Sequence, residues 1–252
     1  MIVKTEAELE GLKKIGKIVA NCLQYMMQKT EPGMTTKELD LLGGQFLEKH
    51  GARSGPMLTY NFPGYNCISV NHEAAHGVPS DKIIQAGDLI NIDVSAELNG
   101  LYADNGGSFV VPPGRPEDIR LLEATKKALM HAIGGVKAGV KLNIIGKRVE
   151  EIADQYGYSI IENLGSHGVG KSLHESPKFI PSYYDRNDDR KLREGNVITI
   201  EPFLSTGAFG VDEIRGDNWT LGTGPEHRTA QFEHSMVVLK DGVLLLTVPD
   251  PV

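Results

Sequence analysis

Apolar residues recur at helical spacing near the start of the chain. Leu9, Leu12, Ile15, Val19, Cys22, Leu23 and Met26 fall on one face, and Thr5 with Glu8 has the spacing of a capping box. Pro32-Gly33 ends that helix. A second is expected from about Thr36 to His50, closed by Gly51. The periodicity returns after Pro116 (EDIRLLEATKKALMHAI) and around residues 142–156, where Gly157 follows. Between the helices lie apolar runs of strand length: CISVN, DLINIDV, NVITI and AQFEHSMVVL.

Laid over each other, the two halves of this pattern agree. Gly33 and Gly51 bracket the second helix, and Gly139 and Gly157 bracket the fourth, 106 residues later in each case. Leu39 falls on Ile145 and Phe46 on Ile152. Gly87-Asp-Leu-Ile-Asn-Ile-Asp93 corresponds to Gly195-Asn-Val-Ile-Thr-Ile-Glu201, and His76-Gly-Val recurs as His167-Gly-Val. The period is too long for a solenoid. It implies a duplicated helix-helix-strand unit in a single domain over residues 1–252, its halves roughly 1–110 and 115–252.

The repeated strands bring in the chemistry. An acid inside DLINIDV belongs there only if something compensates its charge. Asn99-Gly100 is the favoured two-residue turn of a hairpin, which sets residue 95 opposite residue 104. Asp93 and Asp104 then share a face as diagonal neighbours, roughly 7–8 Å apart at the alpha carbons. Glu201 repeats the Asp93 position, and Glu233 sits in a run with apolar residues on both faces. Two like charges 4 Å apart repel by about 4 kcal/mol at an effective dielectric near 20, so four crowded carboxylates call for countercharge. Two divalent ions would supply it. His167, in a glycine-rich Ser-His-Gly-Val-Gly loop, is assigned as the one nitrogen ligand. Such a ligand set suits Mn, Fe or Co as well as Zn.

His72-Glu-Ala-Ala-His76 matches the H-E-x-x-H zinc-protease pattern, which functions only on a helix. Here a strand precedes it and Gly77 and Pro79 follow, so the match is set aside.

Composition narrows the remaining possibilities. At 252 residues, with 40% hydrophobic and 23% charged, the chain can bury a substantial core. A net charge of −7 with scattered Lys and Arg argues against nucleic-acid binding. No stretch has the apolar length of a membrane span or a signal peptide. Two cysteines, Cys22 and Cys67, make no disulfide framework, and a reduced, cytoplasmic setting is expected.

Taken together, NIDVSAELNGLYAD, SHGVGKSLHESP, ITIEP, AQFEHSMVV and CISVNHEAAHGVPS closely resemble the type I methionine aminopeptidases, from the first helix to the last strand. The resemblance implies the α/β pita-bread fold, two pseudo-twofold-related halves around a central antiparallel sheet. It implies hydrolytic removal of the initiator methionine from nascent chains whose second residue is small. Asp93 would bind one metal, Asp104 and Glu233 would bridge both, and His167 and Glu201 would complete the other shell. Glu201 would also handle the proton of the attacking water. His174 would donate to the oxyanion, and His76 would hydrogen-bond the scissile amide and assist the leaving amine. Cys67 and Trp219 match the lining of the methionine pocket, while Leu173 stands at an often aromatic position. The implied partners are nascent N-termini, met near the ribosome exit region, with the enzyme a monomer.

Asn105, Ser166 and Ser235 depart from the usual threonine, glycine and threonine; all three can hydrogen-bond, so tuning of metal affinity and rate is expected, not loss of the site. Neither a zinc-binding N-terminal extension nor the large type II insertion is expected. Rivals on the same scaffold are the prolidase and aminopeptidase P relatives, non-catalytic binding proteins and creatinase-like hydrolases. The first generally carry a further N-terminal domain. The other two lack the metal ligands that are complete here.

Overall fold

The structure is a computed structural model that describes residues 1–214 and 216–251. Among the described residues four helices form where the periodicity places them, α1 (Glu6–Lys29), α2 (Thr36–Lys49), α4 (Pro116–Ile133) and α5 (Ile144–Tyr156), and a short one that it did not place, α3 (Gly55–Tyr60), lies between α2 and α4. Thr5 caps α1 by accepting from the Glu8 N–H, but the Glu8 carboxylate reaches back to the Lys4 N–H at 2.8 Å, not to Thr5. The expected box is thus displaced by one residue. A complete capping box instead starts α2, where Thr35 and Glu38 satisfy each other's backbone N–H groups.

Two larger antiparallel sheets carry the molecule. The first contains β1 (Cys67–Val70), β2 (Leu89–Leu98) and β3 (Leu101–Val110), with the short strand Arg53–Ser54 at the other side of β2. The second contains β4 (Gly165–Gly168), β5 (Glu175–Pro181), β6 (Val197–Ile200), β7 (His234–Leu239) and β8 (Gly242–Leu245), in the order β8-β7-β6-β4-β5. A bridge between Gly107 and Phe232 and a bond from the Glu233 N–H to the Gly106 carbonyl tie the sheets together.

Strand alternation separates core from site. Ile90, Ile92 and Val94 point into a core shared with Ile15, Val19, Leu23 and Met26 of α1 and Leu39 and Leu47 of α2. In the second half Ile198, Ile200, Met236 and Val238 pack against Leu121, Ala128 and Leu129 of α4 and Ile145 and Val149 of α5. The faces turned away from the helices meet. The halves also share backbone geometry at the bracketing glycines: φ is 96° at Gly33 and 88° at Gly139, 74° at Gly51 and 72° at Gly157. Left-handed backbone of this kind favours glycine, which explains why the repeat survives there.

His72–His76 is not helical. Glu73–Ala75 forms a short strand paired with Leu221–Gly222, so the two histidines do not share a helical face.

Candidate active site

The β2–β3 hairpin has the register its turn dictates. Asn99 and Gly100 adopt φ of 54° and 81°, Ser95 faces Asp104, and Asp93 faces Gly106. Asp93 and Asp104 therefore project from one face. Glu201 follows directly on β6, and its N–H is bound by the Ser166 hydroxyl at 2.9 Å.

Two placements differ from the sequence expectation. His167 lies in β4, not in a loop, at a point where the β4–β5 register shifts. The bulge turns its ring out of the ladder, while its N–H donates to the Thr199 hydroxyl at 3.1 Å. Glu233 is not inside a continuous strand. It occupies the gap between strand Thr229–Gln231, part of a small three-stranded sheet, and β7 of the five-stranded one.

These elements bring Asp104, His167 and Glu233 together, with Glu201 beside His167. Ligand atoms of Asp104, His167 and Glu233 lie within 4.8 Å of one another. His167 Nε2 is 3.3 Å from Glu201 Oε1 and 3.7 Å from Asp104 Oδ2. The other ring nitrogen, Nδ1, is 3.0 Å from the Gly168 carbonyl, so Nδ1–H donates there and the Nε2 lone pair faces the carboxylates. A lone pair aimed at carboxylate oxygens is repulsive unless a positive charge lies between them. Asp93 Oδ1, Asp104 Oδ1 and Glu233 Oε1 are buried without any hydrogen-bond partner. Orphaned buried carboxylate oxygens beside a neutral imidazole fit divalent cations, and the oxygen-rich donor set does too.

Electrostatics agree. Burial pushes Asp104, Glu201 and Glu233 well above the usual carboxylate range, and their mutual repulsion adds to it. Asp93 is raised by burial against the opposing pull of Asp104 and His76. Burial and the neighbouring His174 lower His167 to about 3, leaving a neutral ring able to ligate.

Asp93, Asp104, His167 and Glu201 line a cavity of about 300 Å³, with Glu233 behind them. His76, Cys67, Leu173, His174 and Trp219 line it as expected, together with Pro56, Tyr60, Phe62 and Ser95, which the sequence did not single out. Pro56, Tyr60 and Phe62 come from α3 and its exit, where a Ser54 cap and Pro56 start the helix and left-handed Asn61 ends it. The aromatic pair in TYNF, held between Pro56 and Pro63, was the available signal. Phe62 stands edge-on to Trp219 with centroids 5.3 Å apart, forming an apolar wall with Leu173 and Cys67. His174 and His76 sit at the open side. Burial and His76 lower His174 to about 4, and burial also lowers His76 despite the charge of Asp93.

The three departures all lie behind the ligands. Ser166 holds Glu201 as described. Ser235 Oγ accepts from the Asp104 N–H at 3.0 Å and donates to the Asp104 carbonyl at 2.8 Å. Asn105 is buried, and its Oδ1 has no protein partner. Gln231 supports Glu233 at 3.1 Å.

Comparison with known proteins gives the same direction. Residues 10–240 match the model of metallopeptidase family M24. The chain is 48% identical over 248 residues to methionine aminopeptidase 2 of Bacillus subtilis, covering 98% of this chain and 99% of that one. It is 47% identical over 251 residues to a methionine aminopeptidase of Staphylococcus epidermidis, covering 99% and 100%. Among solved structures, methionine aminopeptidase from Rickettsia prowazekii superposes with a TM-score of 0.93 at 34% identity, covering 98% and 100%. Prolidase from Pyrococcus furiosus superposes at 0.78 with 26% identity, covering 99% of this chain but 66% of the prolidase.

Proposed function

Since the chain belongs to metallopeptidase family M24, with the pita-bread fold, we infer that it is a methionyl aminopeptidase removing the N-terminal methionine from nascent proteins and peptides whose second residue is small. One observation carries this reading. Asp104 and His167, whose ligand atoms converge with that of Glu233 within 4.8 Å, line a cavity with an apolar wall together with Asp93 and Glu201. Divalent metal ions are its cofactor, and the ligand set leaves Co, Mn, Fe and Zn open.

In this reading Asp93, Asp104, His167, Glu201 and Glu233 would hold the metal ions. Bound there, a divalent pair supplies Lewis acidity and lowers the pKa of water. The protein side chains do the rest. The wall of Phe62, Cys67, Leu173 and Trp219 takes the methionine side chain and excludes water from it. Glu201 accepts the proton of the attacking water. His174 donates a hydrogen bond to the oxyanion that develops on the scissile carbonyl. His76 hydrogen-bonds the scissile amide and assists the leaving amine. Tyr60 stands at the rim, and Ser95 completes the buried lining.

The chain acts as one domain, its halves roughly 1–110 and 115–252. Among the described residues no helix is long and apolar enough to cross a membrane. A cytoplasmic monomer meeting nascent chains near the ribosome exit is the setting this activity calls for.

The test compares Met-Ala-Ser with an Xaa-Pro peptide in the presence of Mn, Fe or Co, and again after chelation. Metal-dependent release of methionine is expected. Activity that outlasts full metal removal, or that favours the Xaa-Pro peptide, overturns the reading.

A further inference from the structure

Tyr60 and His174 are 114 positions apart in the chain, yet the Tyr60 hydroxyl lies 2.7 Å from His174 Nδ1. The rings meet edge to face, with centroids 5.5 Å apart and planes at 60°. The other side of His174 lies against His167, centroid to centroid at 4.0 Å. The imidazole is therefore held between a phenol and a second imidazole. Among the hydrogen bonds of the described residues, only Tyr60 reaches the His174 ring, and it takes Nδ1. Nε2 remains for the cavity.

A neutral imidazole has one N–H and one lone pair, and a hydrogen bond at one nitrogen decides which is which. We propose that Tyr60 is the positioning residue of His174: its O–H donates to Nδ1, so the ring carries its proton on Nε2 and offers that N–H to the substrate. The opposite tautomer would turn a lone pair toward the developing oxyanion, which is repulsive where attraction is required.

The placement of the phenol supports this. Tyr60 is the last residue of α3, which begins with the Ser54 hydroxyl bound to the Met57 N–H. Ser54 also donates to the Tyr65 carbonyl at 2.7 Å, closing the segment on itself. Asn61, left-handed at φ 57°, ends the helix with its N–H on the Met57 carbonyl. The backbone carrying the phenol is thus tied at both ends, although its ring is 44% exposed at the rim. Exposure matters for the test, because trimming one oxygen from a rim residue leaves the core untouched.

The proposal rests on His174 acting as the oxyanion donor, and two measurements keep the claims separate. The first is ¹⁵N NMR of the imidazoles in metal-free protein, with His174 assigned by its loss in His174→Ala. Wild type should show the Nε2–H form, and Tyr60→Phe a mixture of both. The second is steady-state hydrolysis of Met-Ala-Ser by the loaded enzyme. Tyr60→Phe should lower kcat about tenfold, the scale of one ordinary hydrogen bond, with KM within about twofold. In the His174→Ala background the same change should have no effect. An Nδ1–H ring in wild type, an unchanged tautomer in Tyr60→Phe, a wild-type kcat, or an equal loss without His174 would each overturn it. If the wild-type enzyme does not hydrolyse the peptide, the functional reading fails while the tautomer measurement still decides what Tyr60 does to the ring.

Discussion

Ser235 holds Asp104 by both of its backbone groups, accepting from its N–H at 3.0 Å and donating to its carbonyl at 2.8 Å, across 131 positions of sequence. Ser235 belongs to β7 in the second half and Asp104 to β3 in the first, so one hydroxyl fixes the seam on which the carboxylate cluster sits. Ser235→Ala would leave two buried backbone groups unpaired, and a single such group costs about 1–3 kcal/mol. The variant should unfold at lower temperature and bind Mn or Co 10- to 100-fold more weakly, the range for lost outer-shell support. Ser235→Thr keeps the hydroxyl and should retain most of both. Thermal unfolding and calorimetric metal titration measure the two effects.

Glu201 and His167 are the pair whose loss should stop the reaction without unfolding the chain. Glu201→Ala and His167→Ala should each abolish turnover of Met-Ala-Ser while circular dichroism remains that of the parent. Near-normal activity in either would show that the ligand assignment is wrong.

Chelation should act on stability as well as activity. Without countercharge, the buried acids either repel one another or stay protonated at a cost. Metal at about 100 times its dissociation constant adds about 2.7 kcal/mol to the folded state. For a chain of this size that corresponds to roughly 5–10 °C in Tm. Scanning calorimetry with and without chelator reads the shift, and an unchanged Tm would argue against tight metal binding.

Glu97 should shape the acid limb of stability. Burial pushes its carboxyl up, but the Arg53 guanidinium at 2.7 Å and the Gly100 N–H outweigh burial and hold it below the ordinary 4.5. A carboxyl lowered by folding contributes stability that is present above the unfolded pKa and lost as pH falls through the folded one. Glu97→Gln should therefore cost stability near neutral pH and flatten the decline below about pH 4.5. Urea unfolding across that range gives the comparison.

Helix α1 and the β2–β3 register were readable in the sequence because the interactions behind them are local. A hairpin turn of Asn99-Gly100 admits few backbone geometries, and that turn alone places Asp93 and Asp104 on one face. The bracketing glycines were readable for the same reason, each being fixed by its own φ. His167 and Glu233 were found as residues but misplaced as elements. A bulge in β4 and a break before β7 arise from how two sheets meet, and no periodicity in either segment records that.

Local pattern alone shows which acids lie in apolar strands that tolerate no lone charge, and that the helix-helix-strand pattern occurs twice. Tertiary packing sets which side chains stand behind them. Tyr60 on His174, Ser235 on Asp104, Ser166 on Glu201 and Phe62 against Trp219 are contacts between distant segments. Each depends on side chains meeting across the seam, where a displacement of about 1 Å makes or removes a hydrogen bond. Local sequence pattern fixes the faces of strands and helices, but the distances between them are set by packing.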